Sequence, residues 1–192
     1  MSFGWSINRP FAKGETVLKF SPDGKVRFIS DYRTDDKVSF LPRFGLRFFV
    51  DESFRNVTYY GYGPGESYID KHQACWLGVF EDRVENMQED YIRPQENSSH
   101  FGCKFAEIYN KDAIIRVEGS TPFSFQVSDY TQEELAEKRH NYELRKSGCT
   151  VLCADGMMAG VGSASCGPAL NEKYRIPLPE IHLDLQICFG RK

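Results

Sequence analysis

The segment Ile181-His182-Leu183-Asp184-Leu185-Gln186-Ile187-Cys188-Phe189 alternates apolar and polar side chains without a break. A period of two sends every second side chain to the same face, so this run is a strand with one face on a core and the other in water. Most of the chain repeats that pattern in short lengths punctuated by glycine and proline. Thr16–Phe20 alternates, Ser21-Pro22-Asp23-Gly24-Lys25 turns, and Val26–Ser30 resumes, which predicts a β-hairpin. Further strands are expected at 44–50, 57–60, 76–81, 101–109, 114–118, 123–128 and 150–154. One helix interrupts them. Thr131-Gln132-Glu133-Glu134 has the form of a capping box, and Lys138, Arg139 and His140 complement the dipole of a helix placed near 132–140. These elements predict an all-β, antiparallel fold with one short helix.

With 192 residues, 41% of them hydrophobic, the chain can bury one substantial core. A net charge of −3 speaks against nucleic acid as a partner, because phosphate binding needs clustered positive charge. No apolar run approaches the ~20 residues a membrane-spanning helix requires, so no membrane role is expected. The six cysteines have no dense spacing, and Cys149 and Cys153, placed in one strand, lie too far apart to bridge. Reduced thiols and a cytoplasmic location are the expectation. Residues 1–14 carry Asn8-Arg9-Pro10 and Gly14 and read as a weakly structured segment, with the sandwich domain spanning 15–192. The hairpin that opens this domain would be a sheet edge wanting partners, which suggests an N-terminally truncated domain.

The chemistry-bearing candidates sit in loops framed by glycine and proline: Leu41–Gly45, Gly61–Tyr68, Arg93–Asn97 and Gly160–Pro168. Such loops hold flat apolar faces beside hydrogen-bonding groups, the mixture a sugar ring asks for. Glycosidases use two carboxylates roughly 5 or 6.5–9.5 Å apart, which makes Glu66 and Glu96 the pair to test. Neither has a visible means of holding a raised-pKa acid beside an ionised partner. Each is expected instead to accept backbone N–H bonds and fix its loop, so no catalytic residue is assigned. His72-x-x-Cys75 and His100-x-x-Cys103 have a metal-like spacing, but residues three apart on a strand diverge, so no metal site is assigned either. His140 is a helix-dipole partner. Gly160-Val161-Gly162-Ser163-Ala164-Ser165 lacks the following helix and lysine of a phosphate cradle, and reads as an exposed loop offering Ser163, Ser165 and Cys166 to a neighbour. Tyr59, Tyr60, Tyr62 and Tyr68 are either a stacking platform or sheet packing. Arg43, Asp70 and Arg93 are expected in ion pairs that hold loops.

In order along the chain, Leu41-Pro42-Arg43-Phe44-Gly45-Leu46-Arg47, Tyr60-Gly61-Tyr62-Gly63-Pro64-Gly65-Glu66-Ser67-Tyr68-Ile69-Asp70-Lys71, Tyr91-Ile92-Arg93-Pro94-Gln95-Glu96-Asn97 and Gly160–Pro168 resemble the C-terminal small-chain domain of the bacterial β-galactosidases of glycoside hydrolase family 2. Phe123-Ser124-Phe125, Tyr130–Leu135 and His140–Leu144 fit the same series, from about residue 15 to the C-terminus. The resemblance implies an antiparallel β-supersandwich of the galactose mutarotase type. It further implies that the domain shapes a galactoside pocket and supports assembly, as partner of the remaining domains or large chain of the enzyme. The catalytic glutamates, Mg2+ and Na+ or K+ of that retaining glycosidase belong to a separate barrel, so this chain alone is expected to be inactive on lactose-type substrates. Gly162, Ser163, Ser165 and Cys166 would form the pocket rim, with Arg93, Glu96, Asn97 and Glu66 supporting it. Where some members of the family carry a tryptophan in the rim loop, this chain has Cys166, and a thiol offers no flat face for a sugar to stack on. The alternatives are a free-standing carbohydrate-binding or aldose-1-epimerase-like domain, in which His72, His100 or His140 would work with Glu66 or Glu96, and a purely structural assembly module.

Overall fold

The computed structural model describes residues 2–5, 10–162 and 167–192. Among them, ten strands build an antiparallel array: β1 Ser2–Trp5, β2 Ala12–Phe20, β3 Lys25–Thr34, β4 Arg43–Val50, β5 Asn56–Gly63, β6 Trp76–Arg83, β7 Ser99–Tyr109, β8 Ala113–Ser128, β9 Thr150–Met158 and β10 Glu180–Arg191. The sequence alternation becomes alternating burial. In β10, Ile181, Leu183, Leu185 and Ile187 are buried while the residues between them are not. The β2–β3 turn forms at the expected place: the Gly24 N–H bonds the Ser21 carbonyl at 3.1 Å, and Gly24 takes the positive φ of 81° that glycine permits. No helix of the described residues is long and apolar enough to cross a membrane.

Strand order is β1-β2-β3-β10-β8-β7-β5-β6, with β9 added to β8 and β4 added to β9. β8 joins the two layers. Its first part, Ala113–Gly119, pairs with β10, and its last, Ser124–Ser128, pairs with β9. The sequence predicts two strands here, at 114–118 and 123–128. One strand of 16 residues runs through both, crossing at the exposed Ser120-Thr121-Pro122. Register shifts in β7 on either side of Cys103 bend the neighbouring strand at the same level. The β4–β9 layer then folds back, so that Phe44, Leu46, Phe48 and Val50 pack against a core containing Val57, Tyr59, Phe125 and Leu185. This is the antiparallel all-β sandwich.

Beyond its crossing, β8 is buried on both faces. Phe123, Phe125 and Val127 enter the core. Ser124, Gln126 and Ser128 point the other way, and Gln126 and Ser128 lie under polar groups: Gln126 Nε2 donates to the Asn97 carbonyl at 2.5 Å, and Ser128 Oγ donates to Gln88 Oε1 at 3.4 Å. A buried polar face needs partners, and loop 87–98 supplies them.

Three local expectations need correction. Ser2–Trp5 pairs with Ala12–Glu15, so strand pairing begins inside the segment expected to be weakly structured, because β2 extends past Gly14 and offers a partner. The helix, α1, is shorter than expected at Gln132–Glu137. Thr131 Oγ1 accepts from the Glu134 N–H at 3.1 Å as predicted, but the Glu134 carboxylate turns to the Arg145 N–H at 2.9 Å instead of closing the box. His140 therefore lies beyond the helix, where it precedes a one-turn 3-10 helix at Asn141–Glu143 and stacks on Tyr142 at 5.1 Å. Cys149 precedes β9 and does not share it with Cys153. The cysteines at 75, 103, 149, 153 and 188 are free.

Candidate functional site

The site starts from a charge in a strand interior. Asp155 follows Leu152-Cys153-Ala154 in β9 and is only 3% exposed. Such a carboxylate needs a partner, and Arg43, at the start of β4, provides one. The ladder places the two strands side by side, with Gly45 opposite Asp155. Arg43 Nε donates to Asp155 Oδ1 at 3.1 Å and its Nη2 to Oδ2 at 2.5 Å, a two-point grip. Burial pushes the Asp155 carboxyl up and the guanidinium opposes it, while the two carboxylates around Arg43 hold its own pKa above the ordinary value. Gly45 leaves the room: a Cβ there would stand 2.4 Å from Asp155 Oδ1.

Arg43 also reaches outward. Its Nη1 donates to Glu96 Oε2 at 3.1 Å, and Gln126 Nε2 donates to Glu96 Oε1 at 3.1 Å. Gln126 Oε1 in turn accepts from Gln132 Nε2 at 3.0 Å, which ties the helix to the network. Glu96 is partly exposed, yet burial raises its pKa to about 7. Arg43 opposes the rise, and the negative charges of Asp155 and Glu66 add to it. This carboxyl therefore changes charge near neutrality.

Around Glu96 opens a cavity of about 640 Å³, lined by Pro42, Arg43, Lys71, Gln95, Glu96, Gln132 and the run Met158–Gly162. Its volume lies in the range of small-ligand sites. The glycine run is pinned at its root. Asp70 Oδ1 accepts from the Val161 N–H at 3.0 Å and Oδ2 from the Gly162 N–H at 2.7 Å. A Cβ on Gly160 would meet the Asp70 carboxylate at 2.5–2.7 Å, so this approach requires glycine. Behind the lining residue Lys71, Glu66 accepts from the Ser98 N–H at 3.0 Å and from Tyr91 Oη and Lys71 Nζ. That grip holds Ser98 at φ 64°, a left-handed conformation that a non-glycine residue keeps only when its surroundings insist. Asn97 is buried, donating to the Gln95 carbonyl at 2.9 Å and accepting from the Glu89 N–H at 3.3 Å.

Of the predicted site residues, Gly162 and Glu96 line one cavity, while Glu66 and Asn97 brace its wall. Ser163, Ser165 and Cys166 lie outside the described residues. Arg93 is exposed and makes no ion pair among the described residues, and Asp70 binds two amides in place of a cation. Glu66 and Glu96 do not face each other across the cavity, because Glu66 is turned to the Ser98 N–H, Tyr91 and Lys71 and is not among the lining residues. The two carboxylates that do converge, Glu96 and Asp155, are bridged by Arg43. Among the described residues the arrangement offers donors and acceptors to a polar ligand and no acid–nucleophile pair. The histidines stay apart from it. His100 is buried between Tyr59 and Phe125, at 4.3 and 6.0 Å between ring centroids, and desolvation lowers its pKa to about 4. His72 Nδ1 is 2.8 Å from the Tyr68 carbonyl. Tyr59 and Tyr68 are buried, Tyr62 stacks on Phe101, and no member of the tyrosine cluster lines the cavity. Among the described residues, no three His, Cys, Asp or Glu side chains are grouped to hold a metal ion.

Sequence reasoning missed Asp155, Gln126 and the Asp70 clamp. Asp155 carried a signal, as a lone charge in an apolar run; Asp70 carried none, since its partners are 91 and 92 residues away.

An antiparallel β sandwich with a ligand-sized cavity at the edge of its smaller layer, where a few polar groups stand in a largely apolar wall, is the class this chain defines. Residues 5–187 match the family described as the beta galactosidase small chain, and the chain belongs to that family. It is 43% identical over 169 residues to a β-galactosidase of Actinobacillus pleuropneumoniae, covering 88% of this chain and 16% of the relative. With a β-galactosidase of Staphylococcus xylosus it shares 36% identity, covering 94% of this chain and 18% of that one. The β-galactosidase of Kluyveromyces lactis is 30% identical, with 89% of this chain and 16% of the relative covered. The chain thus spans 16–18% of the length of these relatives.

Proposed function

We propose that this chain is the C-terminal domain of a cytoplasmic β-galactosidase of glycoside hydrolase family 2, and that it forms one wall of the galactoside-binding pocket. The observation that carries this reading is the cavity of about 640 Å³, whose wall combines Glu96, Arg43, Lys71 and Gln132 with the pinned backbone of Gly160–Gly162. Sugar hydroxyls are both donors and acceptors, and a ring of fixed polar groups in a partly buried site orients them. Hydrolysis in the complete enzyme is a retaining double displacement by two glutamates of the barrel, which also holds the metal ions. The part played by this chain is to orient the sugar, close off water on one side and support assembly. By itself it cleaves nothing, because its converging carboxylates are occupied by Arg43.

The test is reconstitution. The chain is mixed with the barrel-bearing remainder of the polypeptide, and hydrolysis of a lactose analogue is followed. The expected result is activity that depends on this chain, with Glu96→Ala raising KM more than it lowers kcat. Equal activity with and without the chain refutes a pocket role, and hydrolysis by the chain alone refutes the division of labour.

A further inference from the structure

Two adjacent side chains reach two separate parts of the cavity lining. Tyr68 and Lys71 close a tight turn: the Tyr68 N–H bonds the Lys71 carbonyl at 2.8 Å, and the Lys71 N–H bonds the Tyr68 carbonyl at 3.0 Å. The turn is anchored from below. Ser67 and Tyr68 are buried, the Ser67 N–H bonds the Ser99 carbonyl at 2.7 Å, and Ser67 Oγ donates to the Tyr62 carbonyl at 2.9 Å. From this turn Lys71 enters the lining and pairs with Glu66, which grips the Ser98 N–H two residues beyond Glu96. Asp70 stays out of the lining and binds the Val161 and Gly162 amides that belong to it. The amides before them are also taken. Ala159 N–H bonds the Pro42 carbonyl at 2.9 Å, and Gly160 N–H bonds the Tyr174 carbonyl at 2.8 Å. All four N–H groups of Ala159–Gly162 are therefore occupied inside the protein, and what this run has left for a ligand is its carbonyls.

We propose that Asp70 is a positioning residue for galactoside binding: its carboxylate holds Gly160–Gly162 as an acceptor-only wall, fixed relative to Glu96, to which sugar hydroxyls donate. The proposal rests on the reading of this cavity as part of the galactoside pocket. In this role Asp70 touches no sugar and acts through the backbone it holds. A carboxylate shared by two consecutive amides makes charge-assisted bonds, roughly twice as strong as neutral ones. Gly162 takes a φ of 66° at the grip, the left-handed conformation open to glycine. Gly160 is buried, and the Asp70 carboxylate stands where its Cβ would be, so the two residues fit as a pair. Without Asp70 two N–H groups would return to the wall, and the tie across 91 and 92 residues of chain would be lost. A wall that offers only acceptors selects ligands rich in donors, and a sugar ring is one.

Steady-state kinetics test this on the chain mixed with the barrel-bearing remainder of the polypeptide, with a lactose analogue as substrate. Asp70→Asn keeps the shape and leaves one acceptor oxygen for two amides. It should raise KM about ten-fold and leave kcat within about two-fold, the split for lost binding with intact chemistry. In hydrogen exchange on the whole chain, the Val161 and Gly162 amides should exchange about ten-fold or more faster. Unchanged exchange in the strands checks the fold. Gly160→Ala offers a second route, because its methyl group displaces the carboxylate and should also raise KM about ten-fold. The Asp70→Ala/Gly160→Ala double variant should then be no worse than either single one, whereas a loss of about a hundred-fold means independent sites and overturns the pairing. A urea midpoint that falls while KM stays constant makes Asp70 purely structural and overturns the proposal. So does an unchanged KM in Asp70→Asn where Glu96→Ala still raises it, and that outcome leaves the pocket reading intact. An unchanged KM in both variants refutes the pocket reading and the proposal with it.

Discussion

Glu66 and Glu96 stand in similar loops, each within two residues of a proline or glycine and each followed closely by polar residues, yet they end in opposite situations. Glu66 is 6% exposed at its side chain and spends its oxygens on an amide, a phenol and an ammonium group within two neighbouring loops. Glu96 is 31% exposed, shares Arg43 with a better-placed competitor, and faces a cavity. The difference lies in how much of the local backbone depends on each carboxylate. Glu66 holds Ser98 in a left-handed conformation and so decides the path of loop 91–98. Glu96 rides on that loop and contributes a tunable charge.

The largest effect that would sharpen this contrast comes from the group between the acids. Arg43→Met strands Asp155 in the interior without its cation, and should cost about 3–5 kcal/mol in urea unfolding, the scale for breaking a buried pair. Glu66→Gln should come next, at about 2–3 kcal/mol, since a charge-assisted grip on the Ser98 amide and Tyr91 is weakened inside a buried site. A loss below about 0.5 kcal/mol would show that loop 91–98 holds itself. Glu96→Gln should move stability at pH 5 by less than about 1 kcal/mol, because Arg43 keeps Asp155. Its signature is the pH dependence. A carboxyl raised to about 7 binds more protons folded than unfolded, so its contribution falls as pH rises from about 4.5 to 7 and stays low above that. The wild type should therefore lose stability relative to Glu96→Gln between pH 5 and pH 8, and equal slopes for the two proteins would remove the raised carboxyl from the account. Thr131→Ala should cost about 1 kcal/mol for one lost helix cap, read as a shift in the urea midpoint.

Strands, the 20–25 turn and the helix start were legible because each is written in neighbouring residues: period two, Pro-Asp-Gly, a threonine before two glutamates. What the sequence could not carry was pairing at a distance. Arg43 and Asp155 are 112 residues apart, and only the β4–β9 register joins them. The division of β8 was misread for a related reason. Gly119-Ser120-Thr121-Pro122 looks like a turn, and its backbone continues as strand only because β7 bends alongside it. The family resemblance located the loops and left the roles of Glu66 and Glu96 undistinguished, since the motif fixes residue type and not the direction a side chain takes.

The continuous course of β8 has a mechanical result. One backbone is stitched into both layers, so neither can peel away without tearing the ladder of the other. Heat or denaturant should therefore melt the domain in a single transition. Damage at the Ser120–Pro122 crossing would be felt at the cavity wall and at the far sheet together.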